Sequence, residues 1–156
     1  MPLPEQPDEP RRLRWKRRTG RVFERRLVNP IVRRLVRRGH LGSTYAVLET
    51  TGRRSGLKRV TPVANGLRGD TFWLISAHGP FAHYVKNLLA DPRVRIGVAN
   101  GGGVEWRSGM AAPQWQDDAR ERQRGLARGH PGYRLDGVLL RATATHMSTI
   151  RIDLER

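Results

Sequence analysis

Thr50-Thr51-Gly52-Arg53-Arg54-Ser55-Gly56-Leu57-Lys58-Arg59-Val60-Thr61-Pro62 places two glycines and four cations between two β-type runs. Gly52 and Gly56 have access to backbone angles closed to other residues, so the stretch reads as a turn. Tyr45 to Thr50 enters it as a strand and Lys58 to Leu67 leaves it as the returning strand. Successive N–H groups in such a turn can form an anion-binding nest. Arg adds bidentate donors and Lys a point charge. The chemistry pointed to is capture of a phosphate or of several carboxylates. A basic hairpin solvated at the surface is the plainer alternative.

Arg68-Gly69-Asp70 is the next turn, and Thr71 to Ser76 a third strand with a continuously apolar middle. Ala77-His78-Gly79-Pro80 is a loop. Phe81, Tyr84, Val85, Leu88 and Leu89 give a helical pattern from Phe81 to Ala90, stopped at Asp91-Pro92. Arg93 to Ala99 alternates as a half-buried strand. Asn100-Gly101-Gly102-Gly103 turns it into a partner strand from Val104 to Ala112. Pro113 to Gly129 reads as a charged helix, with Asp117 and Asp118 near its positive end. The last strand is the alternating run ending at Leu154. Short strands joined by hairpins predict a small antiparallel barrel with flanking helices, an α+β fold.

The chain has 156 residues, 30 Lys plus Arg, 14 Asp plus Glu and a formal charge of +16. A charge that large concerns partners and not fold. It points to nucleic acid, anionic lipid or an acidic small molecule. There is no cysteine, so disulfides, thiolate metal sites and a thiol nucleophile are excluded. No apolar run approaches the roughly 20 residues that span a bilayer. Residues 1–10 carry four prolines and three acids and read as a disordered tail. Residues 11–40 hold 13 Lys/Arg against one acid, Glu24, with apolar steps of about four that fit a helix face. Asn29-Pro30 starts a second helix and Gly39 caps it. This basic amphipathic segment either lies on an anionic surface or packs its apolar face on the domain that follows, residues 41–156. The expected place is the cytoplasm, with a peripheral contact at the inner face of the membrane as one use of that segment.

Thr50-Thr51-Gly52-Arg53-Arg54-Ser55-Gly56 and Arg59-Val60-Thr61-Pro62 form one ordered series with three later pieces. These are Gly69-Asp70, Ser76-Ala77-His78-Gly79 and Asn87-Leu88-Leu89-Ala90-Asp91-Pro92. The series resembles the deazaflavin-dependent nitroreductase family, which has a split β-barrel of the FMN-binding type. The resemblance is good over Gly39 to Val98 and holds in outline beyond. It implies coenzyme F-420, a deazaflavin with a phosphate linker and a polyglutamate tail, and hydride transfer from the reduced ring to a quinone or nitroaromatic acceptor. By that resemblance Gly52, Arg53, Arg54, Ser55, Gly56 and Lys58 hold phosphate and tail. Arg59, Val60, Thr61, Pro62, Val63 and Ala64 run along the ring. Ile75, Ser76, Ala77 and His78 meet its other end, and His83, Tyr84, Val85, Lys86 and Asn87 close over it. Tyr84, His78 or Ser76 would donate a proton or orient the acceptor. Ala64 stands where many members have a tyrosine on the substrate wall, so the acceptor pocket differs.

Rival ligands are FMN and haem, and a non-catalytic carrier or lipid-binding member of the fold is a further alternative. Nucleic acid is disfavoured, because only Trp15 and Phe23 interleave with the cations of residues 11–38. No metal site is expected. His78 and His83 lack helical ligand spacing and have no carboxylate cluster beside them. A serine hydrolase is not expected without a Gly-x-Ser-x-Gly elbow. A homodimer would cover a cofactor cleft.

Overall fold

A computed structural model describes residues 44–101, 103–129 and 144–156. The expectations for the tail 1–10, for the helices of 11–40 and for 130–143 lie outside the described residues. Within them the strands are β1 (Tyr45–Thr51), β2 (Lys58–Ala64), β3 (Leu67–Arg68), β4 (Thr71–Ser76), β5 (Arg93–Asn100), β6 (Gly103–Gln114) and β7 (Ser148–Leu154). The helices are α1 (His83–Ala90) and α2 (Ala119–Gly129). The strands form one sheet in the order β2-β1-β5-β6-β7-β4-β3, and each pairing is antiparallel.

The sheet curls into a half-barrel. Ala46 and Leu48 of β1, Ile96 of β5, Ile152 of β7 and Phe72 of β4 all belong to one buried cluster. Strands at opposite ends of the order share a core only if their inner faces converge. Val85 and Leu88 of α1 join the same cluster, so this helix plugs the barrel. The alternating pattern of β5 delivers Val94, Ile96 and Val98 inward, as expected of period-two strands. At the far rim Arg107 pairs across from Ile96, on the inner side. It donates to the Glu155 carbonyl at 2.8 Å and to the Asp70 carboxylate at 2.8 Å. That contact holds the Asp70 carboxyl below its ordinary value and ties β6 to the β3–β4 turn and the end of β7.

Three boundaries differ from the sequence expectation. The returning strand stops at Ala64, not Leu67. Asn65 donates its N–H to the Thr44 carbonyl, and its Oδ1 accepts from Leu67, so the chain turns there and Leu67–Arg68 pairs with β4 instead. The second helix starts at Ala119, not Pro113. Pro113 and Gln114 extend β6 opposite Ile150 and Thr149. Asp118 makes the true cap, accepting from the N–H groups of Arg120 and Glu121. A 3-10 turn at Gly79–Phe81 also precedes α1, so the helix itself begins at His83.

α2 is fastened by Arg122. Its guanidinium bonds both oxygens of Asp117, at 3.0 and 3.1 Å, and stacks 4.1 Å from the Trp73 ring. The Arg122 hydrogen bond holds the Asp117 carboxyl below its ordinary value. A lowered carboxyl pKa stabilises the fold above the unfolded pKa, and that contribution is lost as pH falls through the folded value. Arg122→Ala should cost about 1 kcal/mol at neutral pH. In thermal melts the gap between wild type and variant should hold above about pH 5 and narrow below about pH 4.

Candidate cofactor site

Antiparallel alternation puts the ends of β1 (Thr51) and β4 (Ser76) and the starts of β5 (Arg93) and β7 (Ser148) on one rim. The Gly52–Leu57 turn and the Ala77–Ala82 loop therefore leave the barrel at the same end. β4 and β5 are three places apart in the sheet, so α1, which joins them, crosses the mouth between loop and turn. A ligand lying over this rim would meet both.

The turn is built by its glycines. Gly56 sits at φ +67°, a left-handed conformation that side chains disfavour. At Gly52 the constraint is space, since a Cβ would stand 2.9 Å from Ser55 Oγ and 3.0 Å from the Leu57 carbonyl. The N–H groups of Gly52 and Gly56 bond inside the turn at 2.8 and 2.7 Å. Arg53 N–H goes to Asn87 Oδ1 and Leu57 N–H to Ser55 Oγ. These backbone donors of the expected nest are therefore used within the fold, and what the turn presents outward is its side chains.

Those side chains split by strand parity. Arg59 pairs across from Thr50 on the side facing α1, while Lys58 pairs with Thr51 on the opposite side. Arg53 is anchored on the α1 side, its guanidinium bonded to Asn87 Oδ1 at 3.2 Å. Asn87, itself buried, donates to the buried Thr50 hydroxyl at 3.2 Å. Arg59 reaches Ser55 Oγ at 3.4 Å, and Arg54 is exposed at the tip. Among the described residues none of Arg53, Arg54 and Arg59 has a carboxylate partner, whereas Lys58 lies 3.9 Å from Glu49, which also holds Arg95 at 3.7 Å. Three arginines without acids at one rim suit a ligand with several negative charges.

Several expected contacts are relocated. Val60, Pro62 and Ala64 face the opposite side of β2 from Thr61 and Val63. Val60 packs with Val47 and Trp106. One ligand face cannot touch all five side chains, but β2 is an edge strand along which a ring can lie. Val63 and Val85 are core residues, and Ile75 is buried beside Leu126. Ser76 is fully buried and donates to the Gly79 carbonyl at 3.3 Å, so it shapes its loop. His78 is buried, with Nδ1 3.2 Å from Thr145 Oγ1, and the Ala77 carbonyl accepts from the N–H groups of Thr145 and His146. His83 is exposed at the start of α1, and Tyr84 and Lys86 are half-buried. Sequence reasoning missed Thr50, Glu49 and Thr145. Thr145 is 67 positions from His78, and no local pattern marks it.

A curled antiparallel seven-stranded sheet with two helices is a split β-barrel fold of the FMN-binding type. The chain belongs to the F420H(2)-dependent quinone reductase family, whose profile matches residues 15–140. No functionally curated protein matches it. Among solved structures it resembles the conserved hypothetical protein Rv2991 of Mycobacterium tuberculosis, at 20% identity over 74% of this chain and 75% of that one, TM-score 0.55. It also resembles HutZ, the haem storage protein of Vibrio cholerae, at 14% identity over 81% and 89%, TM-score 0.53. A third similar chain is a domain-swapped dimer, at 19% identity over 90% and 96%, TM-score 0.50. These likenesses establish the fold.

Gly56→Ala meets no atom within 4 Å, so its cost is backbone strain alone. We expect about 1–2 kcal/mol in urea unfolding, with Gly56→Asn distinctly milder because Asn tolerates the left-handed region.

Proposed function

We propose that this protein binds coenzyme F-420 at the rim and uses it to reduce a quinone or nitroaromatic acceptor. The observation that carries the reading is the set of three arginines that have no carboxylate partner among the described residues, placed at the barrel mouth of a member of an F420H(2)-dependent family. The coenzyme's phosphate and polyglutamate tail supply the charges those arginines lack. Its reduced ring supplies the hydride, while the protein binds, orients and excludes water. Arg53, Arg54 and Arg59, with Ser55, take the acidic arm. The ring lies along the β2 edge towards α1, where His83, Tyr84 and Lys86 stand over it. Burial of Ser76 and His78 leaves Tyr84 as the side chain that orients the acceptor or gives it a proton.

FMN and haem are the competing ligands. Neither carries a polyanionic tail, so neither uses a cluster of this size. A second copy of the chain would complete the cleft. Residues 11–40, with 13 Lys/Arg, give the protein a means of approaching an anionic membrane surface. Among the described residues no helix is long and apolar enough to cross a membrane.

Purified protein titrated in parallel with F-420, FMN and haem tests the cofactor. The first should bind tightest, and Arg53→Ala with Arg54→Ala should weaken it by about 2–4 kcal/mol. Equal affinity in wild type and double variant would remove the assignment. Oxidation of the reduced coenzyme by menadione separates enzyme from carrier. In that assay Tyr84→Phe should lower kcat by about 10-fold or more while raising the coenzyme Kd far less.

A further inference from the structure

We propose that Asn87 is the positioning residue of the anion site, aiming Arg53 at the acidic arm without neutralising it. The inference rests on the cofactor reading above and refines it. Asn87 Oδ1 accepts from both the Arg53 N–H, at 3.3 Å, and the Arg53 guanidinium, at 3.2 Å. Its amide nitrogen donates to Thr50 Oγ1 at 3.2 Å. Asn87 is 6% exposed and Thr50 is 1% exposed, so the carboxamide is fixed in orientation by the helix that carries it and the strand it reaches. Arg53 itself is exposed. One guanidinium nitrogen is committed to the amide, and the remaining donors and the full positive charge stay available.

The other side of the hairpin shows the contrast. There a carboxylate does the holding. Glu49, only 14% exposed at its side chain, faces Lys58 at 3.9 Å and Arg95 at 3.7 Å. A carboxylate neutralises what it holds, and a carboxamide does not. The two partners therefore divide the cations of one turn into a set kept charged for a ligand, on the α1 side, and a set compensated by the protein, on the Glu49 side. Asn87 lies on α1, whose first turn carries His83 and Tyr84, so the group that aims the arm site is rigidly joined to the helix over the ring.

The test is an F-420 titration of the full chain by fluorescence, with thermal melts of the same samples. Asn87→Asp keeps an acceptor for Arg53 but adds a charge beside it. It should raise Kd by about tenfold or more and flatten the salt dependence of binding, while the variant stays folded. Thr51→Asp adds the same charge one strand face away, on the Lys58 side, and should change Kd by less than about threefold. Asn87→Ala should also weaken binding but keep the wild-type salt dependence, because aim is lost and charge is not. A folded Asn87→Asp protein with wild-type affinity overturns the proposal. So does a Thr51→Asp effect as large as that of Asn87→Asp, which would make the response a general field effect. Wild-type protein that fails to bind F-420 overturns the cofactor reading and this inference together, so the two failures are told apart.

Discussion

Asn87 is a polar side chain inside an otherwise apolar plug, and the rim is arranged around it. Val85 and Leu88 on the same helix are at most 1% exposed and drive α1 into the barrel. Burying a carboxamide among them is costly unless its hydrogen bonds are made. Here the Arg53 N–H, the Arg53 guanidinium and the Thr50 hydroxyl make them. Each of those partners belongs to the β1–β2 hairpin. The helix can therefore seat its apolar face only with the hairpin root in place, and the hairpin root is where the cations begin. Barrel closure and the geometry of the cationic turn are consequently a single requirement.

The same dependence explains why the turn is so internally bonded. Gly52 must approach Ser55 and Leu57 closely, and Gly56 must turn left-handed, for the loop to close over six residues without consuming its arginine side chains. Backbone donors close the loop, while Arg53 and Arg59 commit only part of each guanidinium, to Asn87 and Ser55. An arginine fork suits carboxylates and phosphates better than single N–H groups do, since it binds two oxygens in one plane.

Much of this was legible in the sequence because it is local. Alternating runs marked β5 and β7 and short apolar runs marked β1 and β4, all nearly to the residue, and Gly52 with Gly56 marked the turn. The errors occurred where tertiary contacts override local preference. Pro113 looks like a helix start, but β7 offers it a place at the end of β6, where only one side of the strand is paired. Asn65 ends β2 because its side chain caps a turn onto Leu67, a choice that periodicity does not register. The polar candidates fared unevenly for a similar reason. Ser76 ends a strand and His78 follows it just before a glycine, yet the segment entering β7 packs onto their loop, and both side chains are buried. Sequence spacing located the rim and could not tell which side chains on it remain open.

Strand parity makes the finest distinction. Lys58 and Arg59 are neighbours in sequence and similar in charge, yet they point to opposite sides of β2, one to Glu49 and the other towards α1. A register slip of one residue between β1 and β2 would exchange them, presenting the lysine to the mouth and the arginine to the acid. Core packing forbids the slip, because Val63 of β2, which lies inward beside Ala46 and Leu48, would be turned out of the core. Which cation faces α1 is thus determined by apolar residues of the hairpin, and a change in that core should be felt at the rim as a change in charge.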